Sequence, residues 1–197
     1  MRPAGDNELI QITDAALADA TARSGHWLTC HPGCSQCCHG VFRMSLLDAE
    51  RLREGLQKAS PDLQKRIRSR VAQSISELAF DFPGDPTTGI LREDETSLEL
   101  FEEFANEARC PVLDPATGTC DLYTHRPMTC RTYGPPVKIH EESHEGTYGI
   151  CELCFVNAPL EAIKAGELHL PPPELEAQLE QQVGEGTTII AFALQGH

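Results

Sequence analysis

The chain has 197 residues, a formal charge of −14 and nine cysteines, with 40% hydrophobic and only 6% aromatic residues. That length suits one domain burying roughly 70% of its unfolded surface, so no staple is needed merely to fold. The acidity excludes nucleic acid and anionic membranes as natural partners, and the longest apolar run, "IIAFAL", is far short of a bilayer span.

The N-terminal stretch lacks the apolar core of a secretory signal, so a cytoplasmic chain is expected. Residues 7–23 carry Leu9, Ile10, Ile12, Ala16, Leu17 and Ala20 at near-helical spacing and predict an amphipathic helix. The irregular stretch "CHPGCSQCCHG" follows, punctuated by Pro32, Gly33 and Gly40. "VFRMS" alternates like a short strand, and Ser45 with Asp48 predicts the start of a helix over 46–58. Ser60-Pro61-Asp62 opens a further helix to about Phe80, with Leu63, Ile67, Val71, Ile75 and Leu78 inward. "DFPGDPTTG" reads as a loop, and Thr96 with Glu99 as the cap of a helix over "SLELFEEFANEA".

Beyond residue 109 the pattern changes. "CPVLDPATGTCDLY" predicts a hairpin with Cys110 and Cys120 at matching places on its arms. "RPMTCRTYG" predicts a short helix begun by Pro127 and ended by Gly134. "CELC", a helix near 158–166, the "PPP" break, a helix near 173–183 and an apolar terminal segment complete the chain.

In a reducing compartment clustered cysteines read as metal-binding or catalytic rather than as disulfides. The candidate ligands are Cys30, Cys34, Cys37, Cys38, Cys110, Cys120, Cys130, Cys151 and Cys154. Thiolates are soft donors that select zinc or iron–sulfur clusters over magnesium or calcium. Cys34–Cys37 and Cys151–Cys154 have the C-x2-C spacing by which one turn brings two thiolates to one metal. Cys37 and Cys38 are adjacent, and on an extended backbone neighbouring side chains point apart. The pair and the total of nine therefore point to two metals or one multinuclear cluster, since a single zinc leaves five thiols without a role. Cys30-x3-Cys34-x2-Cys37 also resembles the spacing of radical S-adenosylmethionine enzymes. It departs from them at Gln36, where an aromatic is usual, and the chain lacks their alternating strands and helices.

Arg126 and Arg131 are placed to offset the charge of thiolate ligands. Tyr123 and Tyr133 read as packing residues, and His31 and His39 as solvent-facing neighbours of the cysteines. His26, His125, His140 and His144 have no assigned role, and "HEESH" is not read as a helix-borne zinc motif. No catalytic residue is identified.

Taken together, "CHPGCSQCC", "CPVL", "CDLYTHRPMTCRTYG" and the trailing cysteines resemble the YkgJ-like cysteine-cluster family, of CxxCxxCC type, over about residues 24–157. Cys30, Cys34, Cys37, Cys38, Cys110, Cys120, Cys130, Arg126, Pro127, Arg131 and Tyr133 fill its positions, and either Cys151 or Cys154 fills the last. The first gap is three residues where the family often has two. The resemblance implies zinc or iron chelation, with a 4Fe–4S cluster favoured over Zn2+, in a structural or redox role. Flagellin lysine methylases carry a similar region, which implies a methyl-transferring enzyme as one alternative; a zinc-stabilised protein-interaction module is another. The expected architecture is a mostly helical α+β single domain spanning 1–197, with a short β-hairpin and irregular cysteine-rich loops around a metal core. Metal ions are the expected partners, and a protein partner is left open.

Overall fold

The computed structural model describes residues 1–139 and 147–196. It is mostly helical, with three two-stranded antiparallel sheets of two residues per strand, an α+β architecture as expected. The chain divides into two compact units, one of Met1–Arg2, Gly33–Pro127 and Glu180–His197, the other of Pro3–Pro32 and Met128–Leu179. Among the described residues no helix is long and apolar enough to cross a membrane.

The first unit is built on α2 (Leu46–Lys58) and α3 (Pro61–Leu78). Ser45 and Ser60 cap them as expected, each side chain accepting from the backbone N–H three residues on. Leu52 and Leu56 of α2 and Ile67 and Val71 of α3 form one core cluster with Val112, Leu122 and Leu194. The apolar C-terminal segment enters this core as α8 (Ile190–Ala193), led in by a strand. That strand, β6 (Thr187–Thr188), pairs with β1 (Met44–Ser45) in the register Met44↔Thr188. The "DFPGDPTTG" segment is more than a loop: β2 (Gly84–Asp85) and β3 (Ile90–Leu91) make a small hairpin. Asp94, rather than Thr96, caps α4 (Glu95–Glu103), accepting from the Ser97 N–H at 3.0 Å. An ionised carboxylate at this place also meets the positive end of the helix dipole, which a threonine hydroxyl does not.

In the second unit α1 (Asp6–Ser24) packs on α5 (Met128–Thr132) and α6 (Leu160–Ala165). Its buried stripe is Asp6, Leu9, Thr13, Ala20 and Ser24, while Ile12 is exposed, so the apolar face drawn from the sequence is only partly the packed one. The small residues admit close neighbours, and Thr13 and Ser24 donate their hydroxyls to the carbonyls of Leu9 and Ala20 on their own helix. The unit also holds β4 (Val137–Lys138), paired with β5 (Tyr148–Gly149), and the first part of α7 (Pro173–Val183), whose last residues, from Glu180, belong to the first unit. A third cluster joins Cys151, Cys154 and Phe155 to Trp27, Leu28 and Ile163.

Candidate metal centre

None of the nine cysteines is in a disulfide. Cys34, Cys37, Cys38, Cys110 and Cys120 belong to the first unit; Cys30, Cys130, Cys151 and Cys154 belong to the second. The chain passes from one to the other between Pro32 and Gly33, inside the opening cysteine stretch, and again between Pro127 and Met128.

In the first unit residues Gln36–Cys38 form a 3-10 turn, closed by the Cys38 N–H on the Ser35 carbonyl at 2.9 Å. The premise that neighbouring side chains diverge therefore fails here, because it holds for extended backbone. The Cys38 thiol hydrogen-bonds to Cys37, which brings Cys37 down to about 6 against the opposing effect of burial, with help from Arg126. The same bond, with burial, pushes Cys38 up, so the pair is arranged to keep one proton between its two sulfurs. The chain then runs antiparallel to 108–110: the Cys110 N–H donates to the Cys38 carbonyl at 2.8 Å, and the Gly40 N–H to Ala108 at 2.9 Å. Burial pushes the Cys110 thiol up to about 12 and raises Cys120 as well, in both cases against nearby backbone N–H groups. The repulsion that Cys38 meets from Cys110, Cys37 and Cys120 places these four in one electrostatic neighbourhood.

The hairpin that carries Cys110 and Cys120 has a different register from the expected one. Leu113 bridges Cys120, and the Asp121 N–H reaches the Val112 carbonyl at 2.8 Å, so Cys110 does not stand opposite Cys120. The turn is closed by Asp114, whose N–H donates to Thr119 at 2.9 Å and whose carbonyl accepts from Gly118 at 2.9 Å. Its arm leads to a 3-10 turn at Tyr123–His125 that packs on α2. There the Arg126 guanidinium lies 3.9 Å over the Tyr123 ring, and its Nη1 donates to the Tyr123 carbonyl at 2.9 Å. Arg126 is buried, and its charge lowers both Cys37 and Cys120. Tyr123 is itself exposed, a platform for the arginine rather than a core residue, and Tyr133 is exposed too.

Arg131 has a different role from Arg126. Its side chain is buried in the second unit and its Nη1 holds both oxygens of Asp14 at 2.7 and 2.8 Å, which ties α5 to α1. Cys130 lies on α5, half-buried. Cys151 and Cys154 are buried in the tight turn made when the Cys154 N–H reaches the Cys151 carbonyl at 2.8 Å. Phe155 and Asn157 follow at φ 55° and 57°, in the left-handed region, and the Phe155 N–H donates to Trp27 at 2.8 Å. This seats the Cys30 and Cys154 sulfurs 3.7 Å apart, with the Thr29 hydroxyl 3.6 Å from Cys154. Burial works against ionisation of Cys154, yet Thr29, Cys30 and Cys151 together bring it below its ordinary value. Gly134 has φ 127°, and a Cβ there would stand 3.0 Å from the Cys30 sulfur, so the glycine leaves the thiol its place.

His31 and His39 are exposed, as expected of solvent-facing neighbours. His140 and His144 stand at H-E-x-x-H spacing, contrary to the dismissal of "HEESH" from the sequence, and lie outside the described residues. Among the described residues no three His, Cys, Asp or Glu side chains are gathered tightly enough to enclose a metal ion as they stand. The donor set nonetheless fits zinc or iron in kind: unbridged thiols, with Cys37, Cys38, Cys110 and Cys120 in one neighbourhood and Cys30 beside Cys154, and a buried guanidinium whose charge lowers Cys37 and Cys120.

No curated protein and no solved structure matches the chain. One family model does, over residues 29–152, and its description is "putative zinc- or iron-chelating domain". The matched segment includes every cysteine except Cys154 and takes in well over half of the chain. With the motif, the thiol grouping and this match in hand, the chain belongs to the CxxCxxCC family of zinc- or iron-chelating domains.

Proposed function

We propose that this protein is a cytoplasmic metal-binding protein that holds iron, as an iron–sulfur cluster, or zinc through its cysteine thiolates, in a structural or redox role. The observation that carries the reading is the buried Arg126. It is held by Tyr123, and its charge lowers both Cys37 and Cys120, which favours thiolates over thiols. A metal bound by four thiolates carries net negative charge, and a buried cation beside it offsets part of the desolvation cost. Iron–sulfur is favoured over zinc on the family resemblance; the five thiols of the first unit are one more than either a tetrahedral zinc or a four-cysteine cluster takes. When bound, the metal would supply cross-linking of loops or an electron-accepting centre; the chain's part is to present thiolates and to balance their charge.

Anaerobic purification, elemental analysis and a visible spectrum test this. Iron with labile sulfide, bleached by air, supports the cluster; colourless protein with stoichiometric zinc supports the alternative metal. Fully folded protein that takes up neither metal on reconstitution overturns the reading.

A further inference from the structure

We infer that Cys30, Cys130, Cys151 and Cys154 form a mononuclear tetrahedral site of their own for a soft divalent ion, zinc(II) or iron(II), closed to substrate. This rests on the metal-binding reading above and divides it. The Cys30 and Cys154 sulfurs are 3.7 Å apart. Four thiolates about 2.3 Å from one ion have sulfurs about 3.8 Å apart along each tetrahedral edge. In a 4Fe–4S cluster each cysteine binds a different iron at a separate corner, so its thiolate sulfurs stand well beyond that edge length. The separation of Cys30 and Cys154 is thus that of two ligands on one ion.

Cys151 enters through the turn that holds Cys154, closed by the Cys154 N–H on the Cys151 carbonyl at 2.8 Å. Cys130 is the remaining cysteine of the second unit. It lies on α5, four residues before Gly134, whose missing side chain makes room for the Cys30 sulfur. The buried Arg131 beside it fixes α5 on α1 through Asp14. The four are not gathered tightly enough to enclose an ion as they stand, so binding would require Cys130 and Cys151 to move in toward the Cys30–Cys154 pair. Four thiolates fill every position of a tetrahedral ion, so the site has no opening for substrate.

Two consequences separate this from metal binding in general. Cys154 lies outside the family match yet is a ligand, and so is Cys151, where the sequence pattern has one position for the two. α1, which also lies outside the match, is part of the scaffold.

The test uses the full chain, stripped of metal under reducing conditions and titrated with cobalt(II), and compares it with Cys154→Ser and Cys37→Ser. Cobalt bound by four thiolates absorbs strongly in the red through its d–d bands. The expected result is that Cys154→Ser loses one equivalent of tetrahedral cobalt while Cys37→Ser keeps that equivalent. X-ray absorption on Cys37→Ser should then give four sulfur neighbours at one distance and no metal–metal scattering. Should Cys154→Ser fail to fold by circular dichroism, the Cys37→Ser spectrum alone decides, because it leaves the four ligands in place. Metal–metal scattering there, fewer than four sulfur neighbours, or loss of all cobalt in Cys37→Ser overturns the separate site while metal binding by the protein stands. Wild-type chain that binds no metal removes both readings.

Discussion

At the residue scale the adjacent pair Cys37–Cys38 is the most distinctive chemistry in the chain. With Cys37 near 6 and Cys38 raised, one sulfur is mostly thiolate at neutral pH while its neighbour keeps its proton. In the metal-free reduced protein Cys37 should therefore be the thiol alkylated first by iodoacetamide at pH 7, with a rate that falls as pH drops through about 6. Mass spectrometry of the labelled peptides checks this; Cys38→Ala should move the transition upward, and an unchanged profile would remove the role given to Cys38. The sign for stability follows from the same shift. A thiol depressed from 9.0 to about 6 contributes stability that is complete above about 9 and is lost as pH falls through about 6. The sequence shows the adjacency but not the shared proton, because the 3-10 turn that joins the two sulfurs depends on the Cys38 N–H donating to the Ser35 carbonyl and on pairing with 108–110.

At the element scale, close backbone approach fixes how α2 meets the Tyr123–His125 turn. Gly55 lies in the middle of α2, where glycine weakens a helix, and a Cβ there would stand 2.6 Å from the Cβ of His125. Gly55→Ala would gain about 1 kcal/mol of helix propensity and lose more to the clash, for a net destabilisation of about 1–2 kcal/mol by urea denaturation. A stabilised variant would show that the Tyr123–His125 turn yields freely. Across α1 and α5, Asp14→Asn leaves the buried Arg131 with a neutral neighbour. Asp14 is partly exposed, which tempers the loss to about 1–2 kcal/mol, again read from denaturation, and no change would mean that the bridge adds nothing to the seating of α5. The helices at 46–58 and 61–78 were legible because their caps and 3.6-residue periodicity are local signals. The three small sheets were harder to see, since two-residue strands have no periodicity of their own and are made by their partners.

For the whole molecule, metal and protons compete for the same sulfurs. Cys38, Cys110 and Cys120 are all raised, so binding in the first unit must displace protons that these thiols hold at neutral pH. Zinc added to the reduced chain at pH 7 should release about two or more protons per ion, and its affinity should fall steeply in acid; a pH-indicator titration measures both. Binding without proton release would mean that the raised thiols are not ligands. An ion that binds only the folded chain stabilises it, so stripping bound metal with an added chelator should lower the melting temperature measured by calorimetry.

By itself the sequence determined the soft-donor chemistry, the family, the helical character and the capped helices, because each is written in residue type and short spacing. Only the tertiary structure decided which thiols keep company. Cys30 and Cys34 are near neighbours in the chain yet belong to different units, and Cys30 meets Cys154 from the far end of the motif. Sequence spacing measures distance along the chain, and a turn at Pro32–Gly33 can send adjoining cysteines to different places. The opening cysteine stretch supplies thiols to both units, because packing in space, not order in the chain, brings sulfurs together.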